Sequence, residues 1–179
     1  VAFITYIFLN HSYGVANQIL ALFGRDPIQW YSDPKYWPYI LTYVNIWKSV
    51  GIGSITYYAA LMGVDKELFE AAKIDGANRF KQIIHIAIPS IYPVISIMLI
   101  MSMGNIFRGD FGLFYQIPRD VGALYPTTDV IDTYVYRGLR NGNMSVMTAV
   151  SLIQSFVGLV MVLITNTILK KIDADNAMF

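Results

Sequence analysis

Glu70-Ala71-Ala72-Lys73-Ile74-Asp75-Gly76-Ala77, followed ten residues past Gly76 by Ile86-Ala87-Ile88-Pro89, is the stretch whose reading decides the fold. It is a polar, helix-favouring island between two long apolar segments, so it must lie outside the hydrocarbon of a bilayer that its neighbours cross. Asp65 can cap a helix over 66–75, with Glu67 and Glu70 in its N-terminal half, where the helix dipole favours negative charge. Gly76 supplies a left-handed stop, and a second helix can resume over 77–88. Pro89 is expected to force Ile88 out of the helical region and to open the next segment. Two short helices joined by a glycine elbow result, placed where a partner on that side of the membrane can touch them.

Composition agrees with a membrane setting. Hydrophobic residues make up 55% of the 179 residues and charged residues only 14%. Mean hydropathy is +0.47, and the charges fall in blocks. Without cysteine there is no disulfide, thiolate metal site or cysteine nucleophile. A net charge of +1 points to no nucleic-acid partner. No metal site is indicated, since His11 is a lone histidine of the kind usually satisfied at a surface.

Outward from the elbow, the chain alternates spans and polar connections. Residues 1–9 are apolar, but nine helical residues cover only about 14 Å of a ~30 Å core, so they make a partial span. The run lacks the basic start and small-residue cleavage site of a signal peptide. Residues 15–23 form a short amphipathic helix suited to the interface, with Asn17 and Gln18 on its polar side. Trp30, Tyr31, Tyr36, Trp37 and Tyr39 suit the headgroup level. Residues 37–63, 86–107 and 144–169 are each long enough to cross, giving three complete spans. In the first, Ser49, Gly51, Gly53 and Ser54 offer small surfaces for close helix approach. Residues 108–143 form a long polar connection, a length usually functional or partly folded. An acidic, dispensable-looking tail follows Lys170 and Lys171.

The elbow resembles the EAA loop of the membrane subunits of binding-protein-dependent ABC importers, in which Glu-Ala-Ala is followed by three residues, Gly, nine residues, Ile, one residue and Leu-Pro. The spacing matches throughout, with Ile88 where Leu is usual. Gly14, Asn17, Leu20 and Gly24 resemble an external segment of the carbohydrate branch. Asp132-Thr133-Tyr134-Val135-Tyr136-Arg137 resembles what oligosaccharide and polysaccharide permeases carry before their last span. The resemblance implies an all-α, polytopic membrane helical bundle of the ABC importer permease type, in a bacterial inner membrane. Since relatives have about six spans, the chain is expected to be the C-terminal part of a longer permease. The loop over 64–88 would be cytoplasmic and would couple to an ATPase through Glu70, Ala71, Ala72, Asp75, Gly76, Ala77, Ile86 and Pro89. Implied partners are a second permease subunit, two ATPase subunits, an external solute-binding protein, a sugar substrate and the lipid bilayer. Basic residues do not set the orientation: Lys66, Lys73, Arg79, Lys81, Lys170 and Lys171 on one side balance Arg25, Lys35, Arg108, Arg119, Arg137 and Arg140 on the other. The resemblance does.

No glycine-rich loop ending in Gly-Lys-Ser or Gly-Lys-Thr occurs, so ATP and Mg would belong to the partner ATPase and this chain would be a transport subunit without a cofactor or catalytic residues. A membrane-embedded enzyme would need clustered acids, histidines or a nucleophile at membrane depth, and Lys48 is the only ionisable residue deep in a span. A secondary transporter driven by an ion gradient would use intramembrane carboxylates or broken helices, and no complete span carries Asp or Glu at its middle. A non-sugar importer remains the other alternative. Candidate path residues are Asn45 and Lys48, on one stripe with Ser49, Ile52 and Thr56, together with Ser102, Asn105 and Ser151. Thr148, Ser151, Ser155 and Gly158 share a face, for which helix packing is the favoured reading. Asn105 suits a sugar hydroxyl better. Lys48 either borders the translocation cavity, favouring acidic sugars, or is a structural lysine satisfied by a neighbouring carbonyl or carboxylate.

Overall fold

The computed structural model describes residues 1–172. The acidic tail lies outside the described residues. Helices and turns make up the architecture, with no strand among the described residues. The chain divides into two units, one of residues 1–49 and 107–155, the other of residues 50–106 and the chain from 156 onward.

In the first unit, α1 (Ala2–Leu9) and α2 (Val15–Leu22) precede a 3-10 turn, Pro34–Tyr36, that leads into α3 (Trp37–Met62). Asn17, expected on a polar outer face, is instead buried. Its amide donates to the carbonyls of His11 and Ile28 at 3.1 and 3.0 Å, and its oxygen accepts from Ile28 N and Trp30 Nε1 at 3.1 and 2.9 Å. All four hydrogen-bonding positions of the side chain are filled, which folds the following loop back onto α2. The aromatic group divides: Tyr39 is 78% exposed, whereas Trp37 is fully buried and donates from Nε1 to Trp30 O at 2.7 Å. Trp37 packs with Leu41, Val44, Leu113, Ile117 and Leu124, so the core of this unit joins the start of α3 to the connection after residue 107.

That connection is itself folded. It holds a π turn (Gly112–Gln116), a 3-10 turn (Gly122–Leu124), α7 (Tyr125–Thr128) and α8 (Ile131–Arg140). In the second unit, α4 is Lys66–Ile74, α5 is Arg79–Gln82 and α6 is Ile88–Gly104, and α9 (Met144–Ile172) runs from the first unit into the second.

Two stretches are long and apolar enough to cross a membrane: Arg79–Gly104, 26 residues with mean hydropathy 2.1, and Met144–Lys171, 28 residues with mean hydropathy 2.2. The expected third, α3, has 26 residues, about 39 Å of helix, but its polar stripe keeps it outside that group. At Gly51 and Gly53 an added Cβ would meet nothing within 4 Å among the described residues. Close helix approach is seen between α6 and α9, where a Cβ at Gly158 would lie 2.8 Å from the Gly104 carbonyl oxygen. Only a residue without a side chain lets the two backbones come so near.

Ile88 is also not expelled from the helix. It keeps φ −62° and ψ −49°, and a π turn at Ile83–Ala87 carries the chain from α5 into α6. Ile88 N donates to Ile83 O. Pro89 has no N–H for the His85 carbonyl, and widening the preceding turn accommodates the proline without breaking the helix.

Candidate functional site

The elbow is assembled from local bonds. Asp65 Oδ1 accepts from Glu67 N at 2.9 Å, capping α4. At the other end Gly76 has φ +75°. Ala77 N donates to Ala72 O at 2.8 Å and Gly76 N to Lys73 O at 3.1 Å, the paired bonds of a Schellman stop. Asn78 Oδ1 then accepts from Lys81 N at 2.9 Å, so the second helix starts at Arg79, two residues later than expected. An asparagine followed by a helix-favouring run was the available signal for that cap. Buried Gln82 donates from Nε2 to Ala77 O at 2.9 Å and ties α5 to the elbow.

Ala72, Ala77 and Ile86 share one hollow of about 340 Å³ with Lys81, Gln82 and His85. Glu70, Ala71, Asp75, Gly76 and Pro89 are exposed. Flanking the elbow, Ile74 is 88% and Phe80 69% exposed. Two large apolar side chains held in the open on a polar segment make a surface suited to a protein partner.

Of the candidate path residues, Ser102 and Asn105 bond back to their own helix, and Asn45 and Ser151 lend only their backbone carbonyls to neighbouring serines. Ser49 Oγ donates to Asn45 O at 2.7 Å, Ser102 Oγ to Leu99 O at 2.8 Å, Asn105 Nδ2 to Met101 O at 3.0 Å and Ser155 Oγ to Ser151 O at 2.9 Å. Back-bonding of this kind costs no partner helix. Within the first unit no hydrogen bond links the side chains of Asn45, Lys48 and Ser151. Lys48 forms an ion pair with Asp110, 62 positions away. Desolvation alone would raise the Asp110 carboxyl, but the hydrogen bond from Lys48, the amides of Leu113 and Gly112 and the lysine charge together hold it below its usual value. The charge at position 48 is therefore compensated within the chain.

Sequence reading did not find the residues that hold the connection together. Arg137 bridges Asp120, at 2.9 Å, and Asp129, and stacks over the Tyr125 ring with its guanidinium carbon 4.2 Å from the centroid. Half-buried Asp132 accepts from Gly109 N at 2.5 Å and from Gln154 Nε2 at 3.0 Å, and Gln154 also donates to Phe107 O. Thr133 Oγ1 accepts from Val130 N at 3.0 Å and donates to Asp129 Oδ1 at 2.6 Å. The stretch over 132–137 thus supplies the tie points of the connection, which only long-range pairing reveals. No group of three or more His, Asp or Glu able to hold a metal occurs among the described residues.

Residues 1–175 match the profile of the family described as "Binding-protein-dependent transport system inner membrane component". The chain is 35% identical over 174 residues to Protein LplB of Bacillus subtilis, covering 97% of this chain and 54% of that protein. It is 33% identical, with the same coverage, to the polygalacturonan/rhamnogalacturonan transport system permease protein YteP of Bacillus subtilis. A chain from a bacterial alginate ABC transporter, solved in complex with an alginate pentasaccharide-bound periplasmic protein, superposes with a TM-score of 0.87 at 35% identity, covering 96% of this chain and 59% of that one. The chain spans about half the length of the curated relatives it matches.

Proposed function

The chain belongs to the family of binding-protein-dependent transport system inner membrane components, and from that premise we propose that it forms the core of a permease subunit of an ATP-driven importer for a sugar or oligosaccharide. The observation that carries the proposal is the rigid elbow with Ile74 and Phe80 exposed beside it. A Schellman stop and two capped helices fix the shape, so force applied to the elbow passes to α6 instead of being lost in a loose loop. The elbow docks on a separate cytoplasmic ATPase, which holds ATP and Mg. Closing the ATPase pair moves it as a lever and swings the spans between inward-facing and outward-facing arrangements. The assembly includes a second permease subunit, two ATPase subunits and an external solute-binding protein, in a bacterial inner membrane, with α3 as a further span.

The relatives support a carbohydrate cargo, since one is named for polygalacturonan/rhamnogalacturonan transport and a matched structure for import of the acidic polysaccharide alginate. Lys48 acts structurally, because Asp110 neutralises it. Uptake of a labelled oligosaccharide by vesicles holding the purified complex and the solute-binding protein tests the reading. Accumulation should require ATP inside and survive dissipation of ion gradients. Gradient-driven uptake without ATP would replace it with secondary transport.

A further inference from the structure

Tyr6, Asn10, His11, Ser12, Tyr31 and Arg119 line a recess of about 420 Å³ within the first unit, a volume in the range of small-ligand sites, about 300–1,000 Å³. Its lining contains no carboxylate. Arg119 is exposed, and its guanidinium carbon lies 4.2 Å from the centre of the Tyr6 ring. Stacking fixes the plane of the guanidinium and leaves its N–H edges free. The ion pairs among the described residues join Lys48 to Asp110 and Arg137 to Asp120 and Asp129, so Arg119 has no acidic partner there.

The backbone accounts for that isolation. Arg119 and Asp120 both adopt left-handed conformations, with φ +58° and +53°. Two such residues in succession persist only where the surroundings over-determine them. Here Asp120 Oδ1 accepts from Arg137 Nη1 and from the Tyr125 hydroxyl, each at 2.9 Å. The carboxylate next in sequence, which would otherwise neutralise Arg119, is thereby committed to Arg137. Tyr31 donates its hydroxyl to Ile117 O at 3.2 Å, and burial pushes its pKa up to about 12, so this donor keeps its proton and anchors the turn two residues before Arg119. Asn10 uses its oxygen on the amides of Ser12 and Tyr13, at 2.9 and 3.3 Å, leaving its NH₂ turned to other acceptors.

We propose that this recess binds the carboxylate of an acidic sugar residue, with Arg119, seated on the Tyr6 ring, gripping the carboxylate and Asn10 and Ser12 addressing hydroxyls. The substrate class is then a uronate-containing oligosaccharide. The inference rests on the transport reading above and adds where the acidic group is selected: at Arg119 on the outer side, because the charge of Lys48 is already spent on Asp110. The aromatic walls and the small concave volume fit a sugar ring better than a flat protein contact.

The test measures uptake of tri-galacturonate and of its carboxyl-reduced trisaccharide by the reconstituted full-length complex with its solute-binding protein. Arg119→Gln should raise KM for tri-galacturonate about ten- to a hundredfold relative to the reduced sugar, the loss expected for one charge-assisted contact. Arg119→Lys keeps the charge without the fork; it should fall between, and it replaces the glutamine variant if that one fails to assemble. An unchanged ratio of the two KM values overturns the inference. So does a loss of solute-binding-protein docking with that ratio intact, which would make the recess a protein contact. A wild-type complex that imports the neutral sugar with ATP but not tri-galacturonate also overturns it while leaving the transport reading in place. If neither sugar is imported, the transport reading fails instead. Direct binding of tri-galacturonate to the purified complex then decides the recess: binding lost in Arg119→Gln sustains it, and no binding by wild type removes it.

Discussion

The elbow over 64–89 and the connection over 107–143 are both polar segments between apolar helices, yet they are held in opposite ways. The longest-range side-chain bond within the elbow is Gln82 to Ala77, five positions apart. The connection is tied to distant chain: Tyr31 to Ile117 across 86 positions, Thr127 to Pro34 O across 93 and Lys48 to Asp110 across 62. A segment shaped by its own caps can leave its outer face open to a partner, which is what a lever needs. A segment shaped by tertiary bonds can instead hold strained residues such as Arg119 and Asp120 in one arrangement, which is what a selective recess needs.

Removing the deepest anchor of the connection should have the largest effect on stability. Trp37→Ala deletes a fully buried ring and a 2.7 Å hydrogen bond, and replacements of this kind cost about 3–5 kcal/mol. Thermal unfolding of the purified permease subunit without its ATPase should shift sharply, whereas Phe80→Ala, at a side chain 69% exposed, should leave it nearly unchanged. Equal shifts would erase the contrast between the two segments.

Gly76→Val comes next. Nothing lies within 4 Å of a Cβ there, so its cost is backbone strain at φ +75°, about 1–2 kcal/mol. Stimulation of the ATPase should fall much further than stability does. Glu70→Lys isolates that function, because the carboxylate is exposed with no side-chain partner among the described residues. Melting should hardly move while ATPase stimulation is lost, and normal coupling in this variant would remove the docking role.

The Lys48–Asp110 pair should have only a small effect on stability, since both side chains are about two-fifths exposed, at 40% and 39%, and such pairs are worth about 0–1 kcal/mol. Asp110 titrates below its usual 3.8 in the folded protein. The pair therefore contributes fully above that value and is lost as pH falls through the lowered one. Lys48→Met should weaken this acid-dependent step, leaving only the part held by the Leu113 and Gly112 amides, and adding Asp110→Asn should cost little more. Selective loss of acidic-sugar uptake in an intact Lys48→Met complex would instead return position 48 to the translocation path.

The sequence by itself determined the helical class, the elbow and its glycine, and the positions of α3, α6 and α9 to within a few residues. These depend on caps, hydrophobic length and the conformational freedom of a single glycine, all of which act over a few neighbouring positions. Where local rules competed, sequence reading erred. Proline chemistry alone argued that Ile88 leaves the helix, but a π turn absorbed the missing donor. Small residues marked Gly51 and Gly53 for close approach, but among the described residues it is the backbones at Gly104 and Gly158 that meet. Only the tertiary structure decided that Asn17 and Trp37 are buried, that Asp110 answers Lys48, and that Asp120 is drawn to Arg137 so that Arg119 stands free. Each of those outcomes depends on which distant groups meet across a packed core, and pairing over tens of residues leaves no periodicity or spacing in the chain to read.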